Sequence, residues 1–151
     1  MIYFLIAAGV LIFDQVTKFL VRGDFALYES RPVIENIFHL TYIENPGAAF
    51  GMLADKRLFF LIATSLIIIF IIYFMKLMEK EEPKANIFLA MAVGGAIGNF
   101  IDRAMKGTVT DFFDFRIWPV FNIADSFIVV GMIIAAFYVL KGEKKWIMKK
   151  L

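Results

Sequence analysis

Four runs of about twenty predominantly apolar residues, each long enough to cross a bilayer as a helix, limit what this chain can fold into. They cover residues 2–22, 57–77, 86–104 and 121–141. A 151-residue chain that is 61% hydrophobic, with a mean hydropathy of +0.76, cannot hide that much apolar surface in a water-soluble core of its size. The bilayer is therefore the expected solvent. The expected fold class is an all-α membrane protein, with four transmembrane helices in a single integral membrane domain over 1–151. The first run lacks a basic leader and a small-residue cleavage site, so it is expected to be retained rather than removed as a signal peptide.

Between the first two spans lies the longest polar stretch, about 23–56. Its "IENIFHLTYIEN" alternates and is rich in β-branched and aromatic residues, which predicts a short strand or hairpin. Pro46 and Gly47 of "ENPGAAFG" break that run, and "PGAAFG" is expected to start a short interfacial helix. The second and third spans are joined by the charged "MEKEEPKA".

Successive spans alternate in direction, and this places the unusual polar residues. Asp14 and Lys18 lie late in the first span, Asn45 precedes the second, Asn99, Asp102 and Arg103 close the third, and Asn122 and Asp125 open the fourth. Asp111 and Asp114 are expected in the loop between the last two. All of them fall on one membrane face. Lysine and arginine near helix ends favour the cytoplasm, and the tail "KGEKKWIMKKL" carries five lysines in eleven residues. Both termini are thus expected in the cytoplasm, with the β-containing segment extracytoplasmic and the polar cluster near the outer leaflet.

Composition removes several chemistries. Cysteine is absent, histidine occurs once, and only three serines are present. Thiol chemistry is excluded on those counts, and Ser–His and His-rich zinc chemistry are disfavoured. His39, in the strand-like run, reads as a surface or interface residue. A net charge of +2, with lysines concentrated at the end of the chain, gives no footing for nucleic acid. Carboxylates must carry any chemistry.

Asp14 and Lys18 are spaced i,i+4 and can neutralise each other on one helix face. They form a structural ion pair or brace a site. Gly94 and Gly98 are a small-xxx-small pair suited to helix packing. Asn99, Asp102 and Arg103, at i, i+3 and i+4, can share a face. Two carboxylates brought together at low dielectric cannot both ionise readily, so one becomes a base while the other keeps its proton. Asp125 with Asp111 or Asp114 could form such a dyad; spacing does not choose between the two. Asn122 is placed to donate hydrogen bonds to the dyad or to an oxyanion.

Together, "DQVTK", "ENPGAAFG", "GGAIGNFIDR", "VTDFFDF" and "FNIADS" resemble the motif blocks of the lipoprotein signal peptidase (signal peptidase II) family, in order and over effectively the whole chain. The resemblance implies an intramembrane aspartic endopeptidase of the bacterial cytoplasmic (inner) membrane. Its substrate would be a prolipoprotein carrying diacylglycerol, cleaved just before the lipidated cysteine. It implies Asp111 and Asp125 as the catalytic pair, and Asp14, Lys18, Asn45, Gly47, Asn99, Asp102, Arg103, Asn122 and Ala124 as the supporting and substrate-binding shell. No metal and no organic cofactor are implied; the expected partners are the prolipoprotein, membrane lipids and globomycin-like cyclic peptide inhibitors, with the enzyme a monomer. The 23–56 segment would form a cradle or lid over the site. Two other classes fit the polar cluster less well: a small ion- or proton-coupled transporter, and an assembly subunit using polar residues as interhelical glue.

Overall fold

The computed structural model describes residues 1–47, 56–80 and 82–150, the last eight as backbone only. Four helices, α1 (Ile2–Asp24), α2 (Arg57–Met78), α3 (Pro83–Lys106) and α4 (Ile123–Lys150), alternate with three short strands, β1 (Ser30–Ile34), β2 (Phe38–Asn45) and β3 (Val109–Asp114). All four helices are long and apolar enough to span a membrane, α4 through Ile123–Gly142. The expected spans are therefore found, with α3 beginning three residues earlier because Pro83 occupies a first-turn position where its missing N–H costs nothing. Gly107, in the left-handed region at φ 83°, ends α3 and donates its N–H to Arg103 O at 3.0 Å.

Helix α3 is the pillar. Its most apolar window is 67% buried against 6% for α2, because its two sides are made of small residues. A methyl group on Gly94 would collide with the Ala7 backbone of α1, and one on Gly95 with the Ala124 carbonyl of α4. Close backbone approach of this kind is the main source of helix association in lipid. Gly94→Ala is expected to lower the thermal midpoint by several degrees, from roughly 1–3 kcal/mol of overpacking. Gly9→Ala meets nothing within 4 Å and should leave the midpoint unchanged or slightly raised. Thermal unfolding of the two variants side by side in detergent checks the contrast.

The strands form one antiparallel sheet in the order β1-β2-β3. The third strand corrects an expectation: Asp111 and Asp114 sit in β3, not in a loop. "VTDFFD" carries two aspartates that disfavour a strand locally, and it becomes one because β2 offers an open edge. A bulge sets Thr41 and Tyr42 of β2 opposite the single residue Phe112; beyond it the register is Ile43↔Asp111, Glu44↔Thr110 and Asn45↔Val109. Phe121 folds back on β3, its carbonyl accepting from the N–H groups of Phe112 (3.0 Å) and Phe113 (2.7 Å). The interfacial helix expected from "PGAAFG" falls on 48–55, outside the described residues.

Candidate active site

Asp125 owes its place to the way α4 begins. Asn122, just before the helix, accepts the Asp125 N–H on its side-chain oxygen at 2.9 Å, while the Asp125 carboxylate accepts the Asn122 N–H at 3.3 Å. This reciprocal capping box leaves the carboxylate at the positive end of a helix dipole. Asp14 of α1 adds a third tie, accepting the Ala124 N–H at 2.9 Å.

Asp111 arrives on β3. Its carboxyl, 2% exposed, accepts the Asn122 amide at 2.6 Å and the Asn45 amide at 3.0 Å. Side chains alternate along a strand, so Asp114, three positions on, faces away. Asp114 is bound to Thr41 Oγ1 (2.8 Å) and to the backbone N–H (2.8 Å) and Nη1 (2.9 Å) of Arg116. Burial pushes the Asp114 carboxyl up, but the Thr41 and Arg116 contacts prevail and hold it below its ordinary value. Asp111 goes the other way. Burial, and then the charge of Asp125, push its pKa up to about 7, against the pull of the Asn45 and Asn122 amides and of Lys18.

Asn99 and Lys18 join the remaining groups. Asn99 donates its amide to Asp125 Oδ1 at 2.7 Å, and its oxygen accepts from Lys18 Nζ (2.9 Å) and Asn122 Nδ2 (3.1 Å). Lys18, fully buried, also pairs with Asp14 at 2.8 Å and Asp102 at 3.0 Å. With its ammonium held by two carboxylates and one amide, the ion pair expected from i,i+4 spacing also ties α1 to α3, and Asp14 extends the junction to α4 through the Ala124 N–H. Arg103 donates to Gly47 O at 3.0 Å and lies over the Phe60 ring, 4.6 Å from its centroid. Gly47 N–H in turn donates to Asn45 Oδ1 at 3.0 Å.

These groups meet around a cavity of about 320 Å³. Asn45, Gly47, Asn99, Arg103, Asp111 and Asp125 make its polar side, while Trp118, Pro119, Val120 and Phe121 make an apolar wall. The eleven residues that the resemblance implies thus line the cavity or connect to it through side-chain contacts or the chain itself, while Asp114 faces away. Among the described residues, no three His, Cys, Asp or Glu side chains are grouped to hold a metal ion. His39 lies partly buried in β2, its Nδ1 beside Ser30 Oγ at 3.1 Å.

Sequence reasoning missed a supporting cluster on the opposite face of β2–β3. Thr110 Oγ1 receives Arg22 Nη1 (3.1 Å) and Lys106 Nζ (2.7 Å) and lies 2.9 Å from Glu44 Oε1, which also accepts from Tyr42 at 2.8 Å, while Glu44 Oε2 accepts from Thr108. Burial raises the Glu44 carboxyl, but those hydroxyl contacts and the Lys106 charge bring it below its ordinary value. Arg22 and Lys106 could have been found, since each stands four residues beyond Lys18 or Asp102 on the same helix face. Glu44 and Thr110 are a cross-strand pair, which no local spacing reveals.

Residues 6–141 match the family model described as signal peptidase (SPase) II. The lipoprotein signal peptidase of Moorella thermoacetica is 47% identical over 138 residues, covering 91% of this chain and 92% of that protein. Its counterpart from Caldanaerobacter subterraneus subsp. tengcongensis is 52% identical over 133 residues, covering 87% and 91%. Two solved structures of bacterial membrane enzymes share the fold: one with a TM-score of 0.87 at 37% identity over 95% of this chain and 90% of that one, the other with 0.83 at 38% identity over 92% of each.

Proposed function

Because the chain belongs to the signal peptidase II family, a peptidase family of lipoprotein processing, we propose that Asp111 and Asp125 are its catalytic pair, hydrolysing the signal peptide of diacylglyceryl-modified prolipoproteins just before the lipidated cysteine. The observation that carries this reading is that the two carboxyl groups line one cavity and are bridged by Asn122 and Asn99, whose side chains also touch each other. Asp125 accepts the Asn99 amide and the Asn122 N–H at a helix N-terminus, a setting that suits a carboxylate. It takes a proton from water as the water attacks the scissile carbonyl. Asp111 holds the dyad's proton and gives it to the carbonyl oxygen; as the tetrahedral intermediate collapses, Asp125 passes the proton it took from water to the leaving amine and Asp111 recovers one from a hydroxyl of the intermediate. Asn45 and Asn122 orient Asp111, Asn99 orients Asp125, and Arg103 with Gly47 offers donor and acceptor groups to the substrate backbone. The sheet over the cavity serves as a cradle that limits water.

This assignment puts the site near the outer leaflet of the bacterial inner membrane, with both termini in the cytoplasm and the enzyme working as a monomer. The transporter reading has nothing to favour it. Among the described residues the buried charged groups, Asp14, Lys18, Asp102, Asp111 and Asp114, all sit at the site end of the bundle, and the grooves toward the other end are apolar. Purified protein in liposomes, given a diacylglyceryl-modified prolipoprotein, is expected to release the signal peptide and leave the modified cysteine at the new N-terminus. Cleavage elsewhere, or none, would refute the assignment.

The dyad's proton gives a pH signature. Activity needs Asp111 protonated, so the rate should fall as pH rises past about 7. The Asn45 amide stabilises the ionised form of Asp111. Losing one such hydrogen bond in Asn45→Ala raises the carboxyl pKa further and is expected to move the alkaline limb up by roughly half to one pH unit. A limb that stays put or moves down would show that Asp111 is not the acid. The measurement is kcat/KM against pH for both proteins.

A further inference from the structure

The segment between β3 and α4, residues 115–121, is built as a projecting tip. Arg116 has φ 64°, a left-handed conformation that costs a non-glycine residue energy. The Ile117 N–H closes a three-residue turn on Phe115 O at 2.8 Å. Asp114 holds that turn from below through both the backbone N–H and the guanidinium of Arg116. The base of the segment is closed by Phe115 stacked on Phe121, centroids 5.9 Å apart and planes within 8°, with Phe38 packed 4.8 Å from Phe115. What this scaffold presents is apolar: Ile117 is 94% exposed and Trp118 64%. Trp118 also heads the cavity's apolar wall, so one side chain belongs to both the cavity and the exposed surface.

We propose that Ile117 and Trp118 form the acyl-chain contact of the substrate. The proposal rests on the peptidase reading above, and it assigns recognition of the lipid to this tip. A peptide bond one residue from a diacylglyceryl cysteine cannot reach the dyad without bringing the first carbons of both chains close behind it. The polar side of the cavity suits the peptide. The Trp118–Phe121 wall is the apolar surface next to the dyad, and its open edge leads outward over Trp118 to Ile117. Trp is the side chain suited to such a place, a broad apolar face with one polar N–H at the membrane–water boundary. The strained turn at Arg116 and its Asp114 clamp hold the tip in this outward pose, which also gives Asp114 a purpose outside the dyad.

The test uses two substrates of identical peptide sequence, one with palmitoyl chains and one with butanoyl chains on the glycerol. Wild type must cleave the palmitoyl substrate; if it cleaves neither, the peptidase reading itself fails, and the tip is not at issue. Given cleavage, Trp118→Ala is expected to lose roughly tenfold in kcat/KM on the palmitoyl substrate, mostly through KM, and less than about twofold on the butanoyl one. Trp118→Phe should recover most of the loss. Equal losses on both substrates, or none, overturn the proposal.

A second measurement stands even if Trp118→Ala folds poorly. The chain has two tryptophans, so Trp146→Phe leaves Trp118 as the lone reporter, and Asp125→Asn prevents turnover. Substrate with brominated acyl chains should quench its fluorescence, while the unbrominated substrate should not. Quenching by brominated bulk phospholipid but not by brominated substrate would make the tip a bilayer anchor only and would likewise overturn the proposal.

Discussion

Asp111→Asn is expected to reduce lipoprotein cleavage by at least about 10³-fold while leaving the four helices inserted and the sheet paired. The amide keeps the size of the carboxyl and one of its two contacts with Asn45 and Asn122, but it can neither hold nor return a transferable proton. Asp125→Asn should lose as much. In the proposed dyad the two groups act as one unit, so the double variant should be scarcely worse than either single one. Stability supplies a sharper discriminant. The folded state holds Asp111 at about 7 rather than at its ordinary 3.8, so the native protein binds the proton more tightly than the unfolded chain. Its contribution to stability is fully present below about pH 4 and is lost as pH rises through 7. Asn has no such loss. The thermal midpoint of Asp111→Asn relative to wild type should therefore be higher at pH 8 than at pH 5. A difference that does not change with pH, or unaltered cleavage by the variant, would remove Asp111 from the proposed dyad.

Lys18→Met is expected to be the most destabilising single change at the site. The new side chain nearly matches the old in length, yet it leaves Asp14 and Asp102, 0% and 2% exposed, without the ammonium that each meets at about 3 Å. Removing one partner of a buried ion pair costs about 3–5 kcal/mol, which corresponds to a fall of roughly 10 °C in the midpoint for a chain of this size. Cleavage should fall with it, since Asn99 would lose one of the two donors that orient its oxygen and thereby its amide toward Asp125. Adding Asp102→Asn to Lys18→Met removes one stranded charge and should recover part of the midpoint, a non-additivity that marks direct coupling. If the double variant is less stable than the single one by the full cost of Asp102→Asn alone, the junction does not work as described.

How much of this could be read before folding differs from element to element. The spans were legible because a bilayer demands composition over about twenty residues, but composition blurs their ends: α3 runs from Pro83 to Lys106, past both limits of the expected 86–104. The helix-borne groups Asp14, Lys18, Asn99, Asp102 and Arg103 follow from a spacing of three or four. Asp111 and Asp114 were ambiguous for a physical reason. Which of them faces the dyad depends on β3 being a strand, and β3 exists only through pairing with β2, more than sixty residues earlier in the chain. The Glu44–Thr110 pair and the aromatic base of the 115–121 tip were hidden for the same reason. Non-local pairing leaves no mark on local periodicity.

The central position of α3 has a consequence for how the protein is made. Of the four spans it is the least hydropathic, and it carries on its two sides the glycines that fit α1 and α4. Leaving the translocation machinery third, it partitions into lipid with α1 already there to cover Gly94 and Gly98. The flank bearing Gly95 stays uncovered until the last span emerges. Biogenesis is thus ordered by the same close fit that holds the mature bundle, and the cavity lined by Asp111 and Asp125 closes only when α4 has joined α3.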